Sequence, residues 1–351
     1  MHYISNIEAL STNSKFNTYE YELEVDSHLV GNFDQGPYEI DLWEYNFHKE
    51  GEKRKIILRI KKAETPFEEL SGDFSRKNAY YHGGGIEDEI VAFASLFLRR
   101  RIKLVHLVRE NDTPLIISTK NNGWIDKELI RGKSKLSDLS DWFPLLENLD
   151  QSYHQKFVLA TRLYHRSIIM IEDEPDLAYL TLVSSIEALC RDHPLKEKPT
   201  LSEIFPTIDA KIENLNVDKE IKHDLREDII DKQAFIARKF VDFIIYYTTA
   251  DFWKYENRSK HGQIKPDELP RYLKNIYNQR SKTLHEGQAF PPTIFIPPKP
   301  LQESPIGLSF MHMGKIWKPN DYIPNIYFFF FFFNYVLKNF LKLNQINHQN
   351  V

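Results

Sequence analysis

Within "IYNQRSKTLHEG" (residues 276–287), Arg280 and His285 stand five positions apart, with Ser281 between them. A guanidinium can grip a phosphate and stabilise charge developing on it. An imidazole, whose ordinary pKa is close to neutrality, can give or take a proton. Together they suit metal-free chemistry at a phosphodiester. The segment has the pattern of a helix ending at Gly287. At about 100° per residue, Leu273, Ile276, Tyr277 and Leu284 fall within about 60° of Arg280, so Arg280 is expected at the centre of the packing face. Ser281 and His285 form an i, i+4 pair on its exposed flank.

A cation on an apolar face needs a partner. Glu187 is a matching misfit, a carboxylate between the directions of Leu180 and Val183 in "YLTLVSSIEALC". Two readings of the Glu187–Arg280 pair stay open. It is a buried salt bridge with His285 capping the helix, or it holds a site together while Ser281 and His285 face a cleft.

Other constellations carry less. Arg99, Arg100 and Arg101 each precede His106 at similar spacing, but across a helix end and a strand, where an odd separation of five puts Arg101 and His106 on opposite faces. "HGGGIEDE" (82–89) has the glycines of a phosphate or oxyanion loop. Glu87, Asp88 and Glu89 would repel an anion there, and the chain has no G-x-S-x-G, so a flexible turn into a helix is expected. The 13 histidines lack ligand spacing, and neither H-E-x-x-H nor C-x-x-C occurs. Asp209, Glu220 and Lys222 could formally serve a metal-dependent nuclease, but their stretch has helix and loop character. No metal and no cofactor is expected.

The elements that would position Arg280 follow from composition and periodicity. A chain of 351 residues, 42% hydrophobic, has room for about two domains. A net charge of -4 excludes a global basic field of the duplex-DNA-binding kind. The single cysteine, Cys190, excludes a disulfide framework and fits a reducing, cytoplasmic setting. "MHYISNIEAL" has neither the basic start nor the apolar core of a signal peptide. In "IPNIYFFFFFFNYVLKNFLKL" the apolar run is cut by Asn334 and Lys338, short of a membrane span of roughly 20 residues, so an aromatic core helix is expected.

The fold class expected is α+β, with a mixed α/β domain over 1–148 and an all-helical bundle over 149–351. "YEIDLWEYNF", "RKIILRIKK", "IKLVHLVRE" and "PLIIST" have strand character. "IEDEIVAFASLFLRRR" is expected to be a helix with Arg99, Arg100 and Arg101 in its last turn. From residue 150 the 3.6-residue period dominates, through "HQKFVLATRLYHRSIIMI", "EPDLAYLTLVSSIEALC" and the long stretch "DIIDKQAFIARKFVDFIIYYTTADFW". "FPPTIFIPPKP" is an extended connector.

"YNQRSKTLHEG", preceded by "AYLTLVSSIEALC" with "IARKFVDFI" between them, resembles the HEPN superfamily, and within it the Apea-like group. The resemblance spans roughly residues 150–345. It implies a helical bundle carrying a metal-independent endoribonuclease that cleaves single-stranded RNA, tRNA included, as a homodimer in bacterial antiviral defence or as a toxin. Arg280 would hold the scissile phosphate, His285 would act as general base or acid, and Ser281 would orient it. Glu187 and Tyr277 would support Arg280, and Lys282, Lys274 and Arg271 would contact RNA. The first domain would meet a phage or host trigger. In one departure, Glu286 separates His285 from the glycine that often follows directly. The alternative is a non-catalytic HEPN module for dimerisation, scaffolding or nucleotide sensing.

Overall fold

In the computed structural model, residues 1–12, 15–25, 29–42, 55–64, 84–114, 134–231, 235–256, 258–292, 302–307 and 309–346 are described. "PLIIST" beyond Pro114, most of "FPPTIFIPPKP" and His82 lie outside them.

Helix α1 (His2–Thr12) precedes strands β1 (Phe16–Val25), β2 (Leu29–Val30), β3 (Phe33–Gln35), β4 (Tyr38–Leu42) and β5 (Lys55–Ala63). Helix α2 (Ile86–Leu98) then leads into β6 (Ile102–Glu110). The five longer strands pair antiparallel in the order β3-β4-β5-β1-β6. Alternation explains the two faces. Leu23, Val25, Leu58 and Ile60 are buried in the core, whereas Glu20 on the other face accepts from Arg59 and Arg109 at 2.9 and 2.8 Å. Short β2 pairs in parallel with β7 (Ser134–Lys135).

Helix α2 is buried along almost its whole length. Its acids act as caps. Asp88 accepts from the Gly85 amide at 3.0 Å, and fully buried Glu89 accepts from the His2 and Tyr3 amides at the start of α1. The expected arginine-rich last turn is not there. The helix stops at Leu98, and Arg99 turns left-handed (φ 53°), because β6 begins only three residues later. Arg101 is buried outside the helix and pairs with Glu172 at 3.0 Å.

After α3 (Phe143–Glu147) the chain is mainly helical: α4 (His154–Met170), α5 (Pro175–Cys190), α6 (Leu201–Ile204), α7 (Pro206–Glu213), α8 (Lys219–Asp231), α9 (Ile236–Tyr246) and α10 (Leu269–Glu286). The long stretch 228–253 is divided, since α8 ends at Asp231 and Phe235 is left-handed (φ 47°) before α9. A hairpin of β8 (Phe310–His312) and β9 (Lys315–Trp317) precedes α11 (Ile326–Leu343).

Helix α11 is long and apolar enough to cross a membrane, but it is a core helix here, with Phe328, Phe329, Phe332 and Phe333 buried. Its polar interruptions have partners. The Asn334 amide donates to the Leu96 carbonyl (2.6 Å) and the Tyr164 hydroxyl (3.1 Å). The class is α+β. A single apolar cluster joins Leu23 and Leu58 of the sheet to Phe93, Tyr164, Ile186, Ile276 and Phe333 of the helices. The 148/149 boundary falls at Leu149, which is fully buried and bridged to Gln345.

Candidate active site

Helix α10 starts with Pro270 in its first turn and ends at Gly287, whose φ of 66° suits glycine. The Gln288 and Gly287 amides close the end on the carbonyls of Lys282 (3.3 Å) and Thr283 (3.1 Å). Its buried residues are Leu269, Tyr272, Leu273, Ile276 and Gln279. That stripe is centred about 45° from Arg280, on the Gln279 side. Arg280 therefore stands at the margin of the packing face, not at its centre. Leu284 is 52% exposed.

The expected ion pair forms. Arg280 Nη2 lies 2.8 Å from Glu187 Oε2, with the side chains 21% and 16% exposed. The guanidinium sits 5.7 Å from the centre of the Tyr277 ring. Burial, and then the Glu187 carboxylate beside it, push the Tyr277 hydroxyl up to about 12. Arg280 Nε is buried with no hydrogen-bond partner among the described residues. Cys190 nearby is buried, and burial first and Glu187 second hold its thiol up at about 12.

His285 is exposed and Ser281 half-buried. Lys274, Asn278, Ser281 and His285 share one stripe of α10, within about 40° of Lys274. At its N-terminal end the stripe lines an open cleft of about 440 Å³ with Lys196, Glu197, Arg238 and Asp242. Lys282 is also exposed. Arg271 is committed elsewhere, donating to the Pro319 and Asn320 carbonyls at 3.2 and 3.3 Å and lying 4.4 Å over the Tyr272 ring. Its side chain is 33% exposed and held in place by these contacts.

Periodicity missed Gln279, only 3% exposed. Its amide donates to the Ala289 carbonyl at 3.0 Å, and its oxygen accepts from Lys315 at 3.2 Å. Lys315 in turn lies 3.5 Å from the centre of the Trp317 ring. The one available signal was its position three residues after Ile276 and seven after Tyr272, on the same side of the helix.

Arg280 and His285 point about 140° apart around α10. Their Cα–Cβ directions therefore diverge along the helix. The rejected constellations stay apart. His106 Nδ1 is 3.8 Å from Glu22, while Arg101 serves Glu172. Asp209 pairs with Arg226 at 2.5 Å, and Lys222 donates to the Glu213 carbonyl at 2.5 Å. Among the described residues no group of three His, Cys, Asp or Glu could hold a metal. No protein-family model, curated protein or solved structure matches the chain.

Proposed function

We propose that this chain is a metal-independent endoribonuclease of the HEPN type, acting as a homodimer on single-stranded RNA, tRNA among its targets, in bacterial antiviral defence or as a toxin. The observation behind the reading is the Glu187–Arg280 pair at 2.8 Å, which fixes the guanidinium yet leaves Nε unpartnered among the described residues, on the same helix as exposed His285. Arg280 would bind the scissile phosphate as the 2′-hydroxyl attacks phosphorus and the bond to the 5′-oxygen breaks. One His285 would take the 2′-hydroxyl proton, and the His285 of the second copy would protonate the leaving oxygen. Ser281 would orient the imidazole, and Lys274 and Lys282 would offer local positive charge on an acidic protein. The products are a 2′,3′-cyclic phosphate and a 5′-hydroxyl. The N-terminal sheet is assigned the trigger.

The test is cleavage of a labelled single-stranded RNA in the presence of chelator. Wild type should leave cyclic phosphate ends, and His285→Ala or Arg280→Ala should lower the rate by about 10²–10⁴-fold. Wild-type rates in both variants would sink the assignment. A second reading, a non-catalytic dimerisation or nucleotide-sensing module, is favoured by Glu286 beside His285 and by an ion pair already satisfied within one chain. It predicts no cleavage by wild type, together with a lower melting temperature for Arg280→Ala only.

A further inference from the structure

Three cations gather where α2, α3 and α11 meet. Lys338 donates to the Phe97 carbonyl at 2.7 Å and lies 4.7 Å from the centre of the Trp142 ring. Lys342, one turn on, lies 4.8 Å from the centre of the same ring. Phe97 stacks on Trp142 with centroids 5.3 Å apart and planes 13° apart, so the two ammonium groups share what that ring leaves uncovered. Arg99 lies with its guanidinium 5.2 Å from the centre of Phe331. Phe331, Lys338 and Lys342 follow one stripe of α11, within about 20° of each other's mean direction.

Among the described residues no carboxylate pairs with Arg99, Lys338 or Lys342, although ion pairs occur elsewhere. The acid that acts on Lys338 is exposed Asp138. Burial, followed by the charges of Arg99 and Lys342, brings the Lys338 ammonium down to about 7. Burial lowers the Arg99 guanidinium as well. The backbone adds strain in the same place, because Arg99 occupies a left-handed position (φ 53°) that favours glycine or asparagine. Purely structural packing would favour an apolar side chain or an acid opposite these cations.

We infer that the Arg99–Lys338–Lys342 junction binds a phosphate or diphosphate group carried by a small molecule. A guanidinium fork and two ammonium groups match a compact di- or trianion better than a single carboxylate. Phe97 stacks on Trp142, both lysines lie close to the same ring at 4.7 and 4.8 Å, and Arg99 lies 5.2 Å from the centre of Phe331. With Trp142 and Phe331 engaged in this way, recognition rests on the phosphate. These elements carry none of the groups assigned to RNA cleavage, and the site stands without that reading.

The experiment titrates pyrophosphate, inorganic phosphate and adenosine diphosphate into the full chain at constant ionic strength, using calorimetry and thermal melting, with sodium chloride as control. Saturable binding with a raised melting temperature is expected. Exposed Lys342→Gln should weaken it at least about tenfold while the ligand-free protein still melts cooperatively. Lys338→Met should raise the ligand-free melting temperature and abolish the response to anion. Equal affinity for pyrophosphate and the nucleotide marks recognition of phosphate alone, and tighter nucleotide binding adds the nucleoside. No saturable binding, or binding unchanged in both Lys342→Gln and Arg99→Gln, overturns the assignment.

Discussion

Arg280 and Glu187 meet at 2.8 Å across 93 residues of sequence, the guanidinium from the last turns of α10 and the carboxylate from the last turns of α5. Each is about one-fifth exposed or less, so the pair is neither a surface bridge nor a fully dry one. Removing one partner strands the other in partly desolvated surroundings.

Glu187→Gln and Arg280→Ala should each destabilise the fold by about 1–3 kcal/mol, between the values for exposed and buried pairs. Urea unfolding of both single variants and of the double variant measures the coupling. An additive double variant would show that the pair contributes nothing as a unit.

His285→Ala should leave the urea midpoint unchanged, because the side chain is exposed and its helix is already closed by Gly287. If two copies share one site, mixing Arg280→Ala protein with His285→Ala protein should restore part of the RNA cleavage that each has lost. Failure to recover activity in verified mixed dimers would argue against composite sites.

Gln279→Ala should cost about 1–3 kcal/mol, since it takes a donor from the Ala289 carbonyl and one of two side-chain acceptors from the half-buried Lys315 ammonium. Thermal unfolding at several salt concentrations checks this. A loss that disappears in high salt would assign the cost to charge and not to the missing hydrogen bonds.

Acid should act through His165. Its ring nitrogen meets the Ile102 carbonyl at 2.6 Å, and burial, opposed by that bond, lowers its pKa to about 4. The folded state thus binds fewer protons than the unfolded chain between about pH 6.5 and 4, and stability falls as pH drops through that window. His165→Gln should flatten this limb of a stability–pH curve, and an unchanged slope would reject the assignment.

Alkali should act the other way through Lys338. With its folded value near 7 and an unfolded value near 10.4, the unfolded chain binds more protons over that interval. Stability should therefore rise with pH from about 7 to about 10. Arg99, Lys342 and Asp138 face the same ammonium, so Lys338→Met, not a change of buffer, is the decisive comparison.

The partnership of Glu187 with Arg280 could be read in advance because two opposite charges each broke an apolar stripe, and burying either alone is unfavourable. The α+β class was legible for a similar reason, since period 2 gives way to period 3.6 along the chain. Arg280's place at the margin was not legible. A polar glutamine on the other side of the helix looks like surface until the segment just after the helix brings it the Ala289 carbonyl and a hairpin 36 residues on brings it Lys315. Nor did charge near the end of α2 reveal where that helix stops. The start of β6 sets that point, and tertiary pairing overrides the preference of arginines for a last turn.

The two bonds that α11 makes to the end of α2 span 238 and 241 residues, from Asn334 to Leu96 and from Lys338 to Phe97. A ribosome therefore exposes α2, with its buried Glu89 and Ser95, long before the helix that covers its last carbonyls has been made. Until then the nascent chain leaves the Leu96 and Phe97 carbonyls without their α11 donors and the Phe157 ring without Phe340 against it. Its folding should be slow and dependent on chaperones, and a product cut short of Ile326 should aggregate rather than persist as a free N-terminal half.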